Sequence, residues 1–273
     1  MRVVVDSNAL QSKELEAYLA ASADNFAVLT DYVAMEAHKG DTLNQIFRSM
    51  SVVARYPRQV IVLKGTREIS AMPPAVAASP RGLVDELQTQ EFPLYCDHLR
   101  LAESGHQALR DQLLEHGRVA SEHIDNMLGD ADPLKEGFDL MARVYTADEL
   151  RILRKGQPFT PAIGEKVMKY TMLLAASLFE KFPDPIDLPR GTEVRDSFIF
   201  RFAVCAHVLV FRWIEVGGAG RTKADRLRND IVDVNFAAYG TYFDDLLTAD
   251  TKAREIYLEA RFMLENVFAP REP

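Results

Sequence analysis

Three short apolar runs, spaced by amphipathic stretches, constrain this chain more than any other feature of its sequence. Residues 2–5 read Arg-Val-Val-Val, residues 26–29 Phe-Ala-Val-Leu and residues 59–63 Gln-Val-Ile-Val-Leu. Runs this short, closed by polar turn residues, suit strands buried on both faces of a parallel sheet. Parallel strands need helical crossovers, and the intervening segments supply them. Ser12 reads as the cap of a helix over about 11–21, Thr30 or Asp31 as the cap of a helix carrying Glu36, and a further helix covers about 41–54. The expected class is α/β with a central parallel sheet.

Beyond residue 70 the pattern changes. Residues 71–82 and 183–191 are rich in Pro, Gly and small residues and read as linkers. Between them the periodicity is helical, over about 97–128, 133–144, 147–154 and 161–182, with no clear strand. An apolar helix follows over about 192–216 and stops at Gly217-Gly218; another covers about 222–243. Leu246-Leu247-Thr248 reads as a short strand, and a final amphipathic helix runs over about 251–267. The expectation is an α/β core built from residues 1–70 and 192–273, with an all-α insertion and its flanking linkers at 71–191.

Composition narrows the function classes. Over 273 residues, 48% hydrophobic and 26% charged are globular values. The net charge of -8 argues against non-specific attraction to nucleic acid, though not against a local basic track. Cys96 and Cys205 have no paired spacing, which predicts two buried thiols rather than a disulfide framework or a zinc site. The apolar segments 167–179 and 198–214 carry Lys169 and Arg201, His207 and Arg212, so they read as buried helices rather than membrane spans. With polar residues beginning at Asp6, no secretory leader is expected, and the reading is a soluble, cytoplasmic protein without membrane association.

The chemistry gathers on acids from both ends of the sequence. Asp6 follows the first strand and Asp250 follows the last, and ligands of open parallel sheets bind at the carboxyl ends of strands. Asp230 and Asp233 are three apart on one helical face, where like charges repel unless a cation neutralises them. Glu36 could supply a fifth oxygen. Oxygen-only donors suit Mg²⁺ or Mn²⁺. Each acid alone also has an ordinary reading: Asp6-Ser7-Asn8 as a turn, Glu36 as solvated surface, Asp230 and Asp233 as residues favoured near a helix start, and Asp250 as a helix cap.

The string Val4-Val5-Asp6-Ser7-Asn8-Ala9-Leu10 resembles the opening of the PIN domain family, whose first strand ends in Asp-Thr/Ser-Asn. Leu29-Thr30-Asp31-Tyr32-Val33-Ala34-Met35-Glu36 is similar to that family's second block, and residues 229–239 with Leu247-Thr248-Ala249-Asp250 resemble its C-terminal blocks. The resemblance implies a three-layer α/β/α fold and a Mg²⁺- or Mn²⁺-dependent nuclease, mostly acting on RNA, in a family with many toxins of toxin–antitoxin pairs. It assigns Asp6, Glu36, Asp233 and Asp250 as catalytic and metal-ligating acids, with Asp230 as a competitor for the third role. Ser7, Asn8 and Thr248 then orient carboxylates. The expected partners are an RNA substrate and a protein such as an antitoxin, with homodimerisation open. The family core is about half this length, and the insertion falls between the second and third acids.

Arg221, Lys223, Arg226 and Arg228 precede the third acid and read either as a phosphate track or as a solvated helix start. His98, His106, His116 and His123 lack compact ligand spacing, and no nucleophile elbow or phosphate-binding glycine loop is present. Two rival readings remain beside the endoribonuclease. One is a binding module with little or no catalysis whose insertion recruits a protein; the other is a nuclease directed at DNA.

Overall fold

The computed structural model of the chain describes residues 1–39, 42–129, 140–155, 157–184, 186–216 and 224–268. Strands β1 (Arg2–Val5), β2 (Phe26–Leu29), β3 (Val60–Val62) and β4 (Asp245–Leu247) form one parallel sheet in the order β3-β2-β1-β4. Val4 pairs with Val28 on one side and with Leu246 on the other. Val4, Val5, Ala27 and Val28 are wholly buried, as strands covered on both faces require. The sheet is therefore assembled from both ends of the sequence, and the chain around it is mainly helical.

Local sequence sets the helices nearest the sheet. Helix α1 (Lys13–Ala21) crosses from β1 to β2 and starts where Ser12 Oγ accepts from the Leu15 N–H at 3.0 Å. Helix α2 (Asp31–His38) starts where Thr30 Oγ1 accepts from the Val33 N–H at 3.3 Å. Helix α3 (Leu43–Met50) is shorter than the pattern over 41–54 predicts, and a 3-10 turn at Val53–Arg55 takes up the remainder. After β3 comes α4 (Thr66–Ser70).

The long central segment differs in detail from its sequence reading. Residues 71–82, expected as a linker, contain α5 (Pro74–Ala77) and lead into a 3-10 turn at Pro80–Leu83; Ala77 and Leu83 are wholly buried. The helix expected over 97–128 is two helices, α6 (Glu86–Glu103) and α7 (Gln107–Gly129). They break at Gly105, whose φ of 110° suits glycine and few other residues. The helix expected over 133–144 lies largely outside the described residues. Helices α8 (Ala147–Arg154), α9 (Pro161–Glu180) and α10 (Phe198–Glu215) follow, the last preceded by a 3-10 turn at Gly191–Asp196 rather than by further α-helix. Helices α11 (Ala224–Gly240) and α12 (Thr251–Asn266) flank β4.

Helix α10 is the axis of the helical part, packing against α8, α9, α11 and α12. Every residue from Ala203 to Phe211 is buried. Within it His207 is wholly buried, with Nε2 2.8 Å from Tyr145 Oη and Nδ1 2.8 Å from Thr171 Oγ1. Burial drives its pKa down to about 3, so the ring is neutral. Leu99, Ile163 and Val167 share one apolar cluster with Val4 and Leu246, so a single core joins the central segment to the sheet. No described helix is long and apolar enough to cross a membrane.

Candidate active site

The sheet order places a topological switch between β1 and β4: the chain runs outward from β1 through β2 to β3, then returns to the other side of β1. Crevices for ligands form at the carboxyl ends of strands at such points. Asp6 directly follows β1 and Asp250 lies just past β4, so both acids stand at this switch.

Hydrogen bonds stitch the two strand ends together. The Asp6 N–H donates to the Leu247 carbonyl at 2.9 Å. Asp6 is buried, and its carboxylate accepts from Asn8 Nδ2 at 2.6 Å, Thr248 Oγ1 at 2.6 Å and Ser7 Oγ at 3.3 Å. Asn8 Oδ1 in turn accepts from the Ala249 N–H at 2.8 Å, and Thr248 Oγ1 accepts from the Asp250 N–H at 3.0 Å. Ser7, Asn8 and Thr248 thus fix the Asp6 carboxylate in place. Burial raises the pKa of Asp6, and the bonds from Thr248 and Ser7 only partly oppose that rise. Asp250 caps α12, accepting from the Ala253 N–H at 2.9 Å.

The two acids of α11 have different surroundings. Asp230 is 2% exposed; one oxygen accepts from Trp213 Nε1 at 2.9 Å, and the other is bonded by the Lys252 ammonium. Asp233 is more open and takes Lys252 Nζ at 3.0 Å. Burial pushes the Asp233 pKa up to about 7; Lys252 opposes the rise, and the charges of Asp250 and Asp6 add to it. Asp233 therefore shares an electrostatic neighbourhood with Asp6 and Asp250, whereas Asp230 is committed to Trp213 and Lys252. Burial pulls the Lys252 pKa down, but its hydrogen bond to Asp230 and the charges of Asp233 and Asp230 outweigh this, and the net shift is upward.

Glu36 lies on α2, which packs against the Ser7–Ala9 turn just after Asp6, and its side chain is half-buried. Among the described residues no three His, Cys, Asp or Glu side chains stand placed to hold one metal ion. The donor set is nonetheless chemically suited to a hard cation, being all carboxylate. Two of these acids, Asp230 and Asp233, already hold a cation, the Lys252 ammonium.

Of the basic cluster, Arg221 and Lys223 lie outside the described residues. Arg226 is exposed and Arg228 half-buried on the first turns of α11. Arg226 is four residues before Asp230 and so lies on the same helical face.

Sequence reasoning missed Lys252, Trp213 and a third strand-end acid. Asp31, following β2, accepts from the Thr66 N–H and Oγ1, both at 2.7 Å, and Thr66 Oγ1 lies 2.7 Å from Tyr239 Oη. That unit ties α2, α4 and α11 together beside the crevice. Lys252 left a legible signal: it is a cation in the first turn of a helix, where the macrodipole favours anions. Trp213 is the sole tryptophan, set in an apolar helix, and a buried indole N–H needs an acceptor.

No protein-family model, no curated protein and no solved structure matches this chain.

Proposed function

We propose that this protein is a Mg²⁺- or Mn²⁺-dependent endoribonuclease of PIN type, with a three-layer α/β/α core and a helical insertion. The observation that carries the reading is geometric: the hydrogen bonds of Asn8 and Thr248 join the ends of β1 and β4, bringing Asp6 and Asp250 together at the sheet's topological switch. Asp6, Asp233 and Asp250, with Glu36 from α2, would hold the ion. When bound, such an ion acidifies water and stabilises charge on a phosphodiester.

The chain's own residues supply the rest. Ser7, Asn8 and Thr248 fix the Asp6 carboxylate, and the backbone bond from Ala253 fixes Asp250. Arg226 and Arg228, on the first turns of α11, would form a positive approach for a phosphate backbone. A single-stranded RNA is the substrate class this reading favours, and residues 71–191 would select the target.

Lys252 also favours a second reading. An ammonium that satisfies Asp230 and Asp233 leaves a stable site without any metal, as expected of a binding module that does not cleave. Single-stranded RNA and DNA of one sequence, incubated with the purified protein and Mn²⁺, separate the possibilities. The nuclease reading expects cleavage of RNA that stops with chelator and is absent in an Asp6→Asn/Asp233→Asn variant. Cleavage of DNA alone would redirect the substrate, and equal cleavage by wild type and variant would reveal a contaminant. With no cleavage of either strand, the binding-module reading stands.

A further inference from the structure

We infer that a cavity between α2, α4, α10 and α11 is a binding pocket for a single nucleobase. The inference rests on the nucleic-acid substrate of the proposed function and adds the place where one base is held.

The cavity has a volume of about 210 Å³. Tyr32, which follows β2, and Thr66, which follows β3, both line it, so it lies at the same end of the sheet as Asp6 and Asp250. Tyr32 is four residues before Glu36 and shares its face of α2. Pockets for drug-sized ligands run to about 300–1,000 Å³, so this one suits a single ring. Leu178, Phe182 and Phe202 on its wall are half-buried, which leaves that side open to solvent.

Two polar side chains in the wall are more than nine-tenths buried, and each keeps an atom for a ligand. Asn235 is 3% exposed; its Nδ2 donates to the Ile231 carbonyl at 3.0 Å, which fixes the amide and leaves Oδ1 as the open acceptor. Ser70 is 8% exposed. Neither Asn235 Oδ1 nor Ser70 Oγ is hydrogen-bonded to a described residue, and the Tyr32 hydroxyl is likewise unpaired among them. A buried amide oxygen without a donor is costly, so the occupant must bring an N–H. The hydroxyls can meet a neighbouring acceptor on the same edge.

The remaining wall sets the shape and charge of that occupant. Phe198 and Phe202 are one turn apart on α10 and lie on one face of it. The Phe198 ring stands 4.5 Å from that of Tyr239, whose hydroxyl is held by Thr66, so this aromatic wall is preorganised. Among the described residues no charged side chain lines the cavity, which argues against a phosphate or carboxylate inside it. Apolar faces with donors and acceptors along one edge describe a nucleobase. A phenylalanine ring or an aliphatic chain brings no donor to Asn235.

Calorimetry on the full chain in chelator, titrated with adenosine, guanosine, cytidine and uridine in turn, tests the pocket apart from any metal. At least one nucleoside should bind with a Kd of about 1 mM or tighter. Asn235→Leu, close in size but lacking the acceptor, should weaken that binding at least about tenfold, about 1.4 kcal/mol. Ser70→Ala removes one hydroxyl only, so it serves should Asn235→Leu fail to fold, and about a threefold loss is expected. Binding unchanged in the folded variants, or no binding of any nucleoside at about 10 mM, overturns the inference. RNA cleavage in Mn²⁺ without nucleoside binding overturns the pocket and leaves the nuclease standing. Nucleoside binding lost in the variants, with no RNA cleavage by wild type, supports the pocket and sinks the nuclease.

Discussion

Two regions of this molecule bury titratable groups, and they treat them in opposite ways. In the helical part, His207 lies at the centre of α10 with each ring nitrogen met by a hydroxyl, and burial keeps it neutral. At the β1–β4 switch, Asp6, Asp230, Asp233 and Asp250 gather with a single ammonium among them, and Asp233 is left with a pKa near 7. The first region resolves its buried polarity by discharging it and hydrogen-bonding what remains. The second keeps charge that its own side chains do not fully compensate. Buried charge of that kind is costly to stability, and the proposed function gives it a use that a core does not have.

Substitutions should expose the contrast, beginning where the charge balance is most fragile. Lys252→Met removes the cation between Asp230 and Asp233 and should destabilise the protein by about 3 kcal/mol in metal-free buffer, read by urea denaturation. A loss no larger than that of an exposed lysine would mean the cluster is already neutral without it. Asp233→Asn acts the other way at high pH. Its folded-state pKa is raised, so the stability linked to its proton is full below the ordinary carboxylate range and is lost as pH rises through about 7. The asparagine variant should exceed wild type by about 2 kcal/mol at pH 8, the gain being reduced by the lost Lys252 contact, with the gap narrowing as pH falls below about 7 and closing only below about pH 4. Parallel pH profiles for the two proteins would refute the crowding of Asp233.

In the helical region the response should be smaller and flat. Tyr145→Phe removes one partner of the buried His207 ring and should cost about 1.5 kcal/mol, unchanged between pH 5 and 8 because the histidine does not titrate there. A pH-dependent loss would show that His207 carries charge. Smallest is Thr248→Val, which takes one of three side-chain donors from Asp6 and the acceptor from the Asp250 N–H. About 1 kcal/mol is expected, with the Asp6 pKa, followed by carboxyl NMR, moving further upward. A downward movement would contradict Thr248 as a donor to the carboxylate.

The two regions also differ in how far the sequence revealed them. The sheet was legible because Arg2–Val5, Phe26–Leu29 and the run at 59–63 are short, apolar and bounded by caps, and the caps at Ser12 and Thr30 form as read. Turn chemistry marked Asp6-Ser7-Asn8 as a turn, but the hold of Asn8 and Thr248 on Asp6 across two strand ends was expected only from the resemblance. What periodicity could not show was the break at Gly105, since an amphipathic pattern continues across it, or the absorption of residues 71–82 into the core. Nor could it separate Asp230 from Asp233. Both lie on one helical face, and only tertiary packing decides that Trp213 reaches the first and the other acids crowd the second.

Thermal unfolding with and without Mn²⁺ at pH 8 tests the central claim most directly, because it asks whether the uncompensated charge at the switch is satisfied by a divalent ion. Wild-type protein should gain several degrees in Tm at saturating Mn²⁺, and the Asp6→Asn/Asp233→Asn variant should gain none. Equal shifts in both proteins, or no shift in either, would contradict the assignment of these acids as a metal centre.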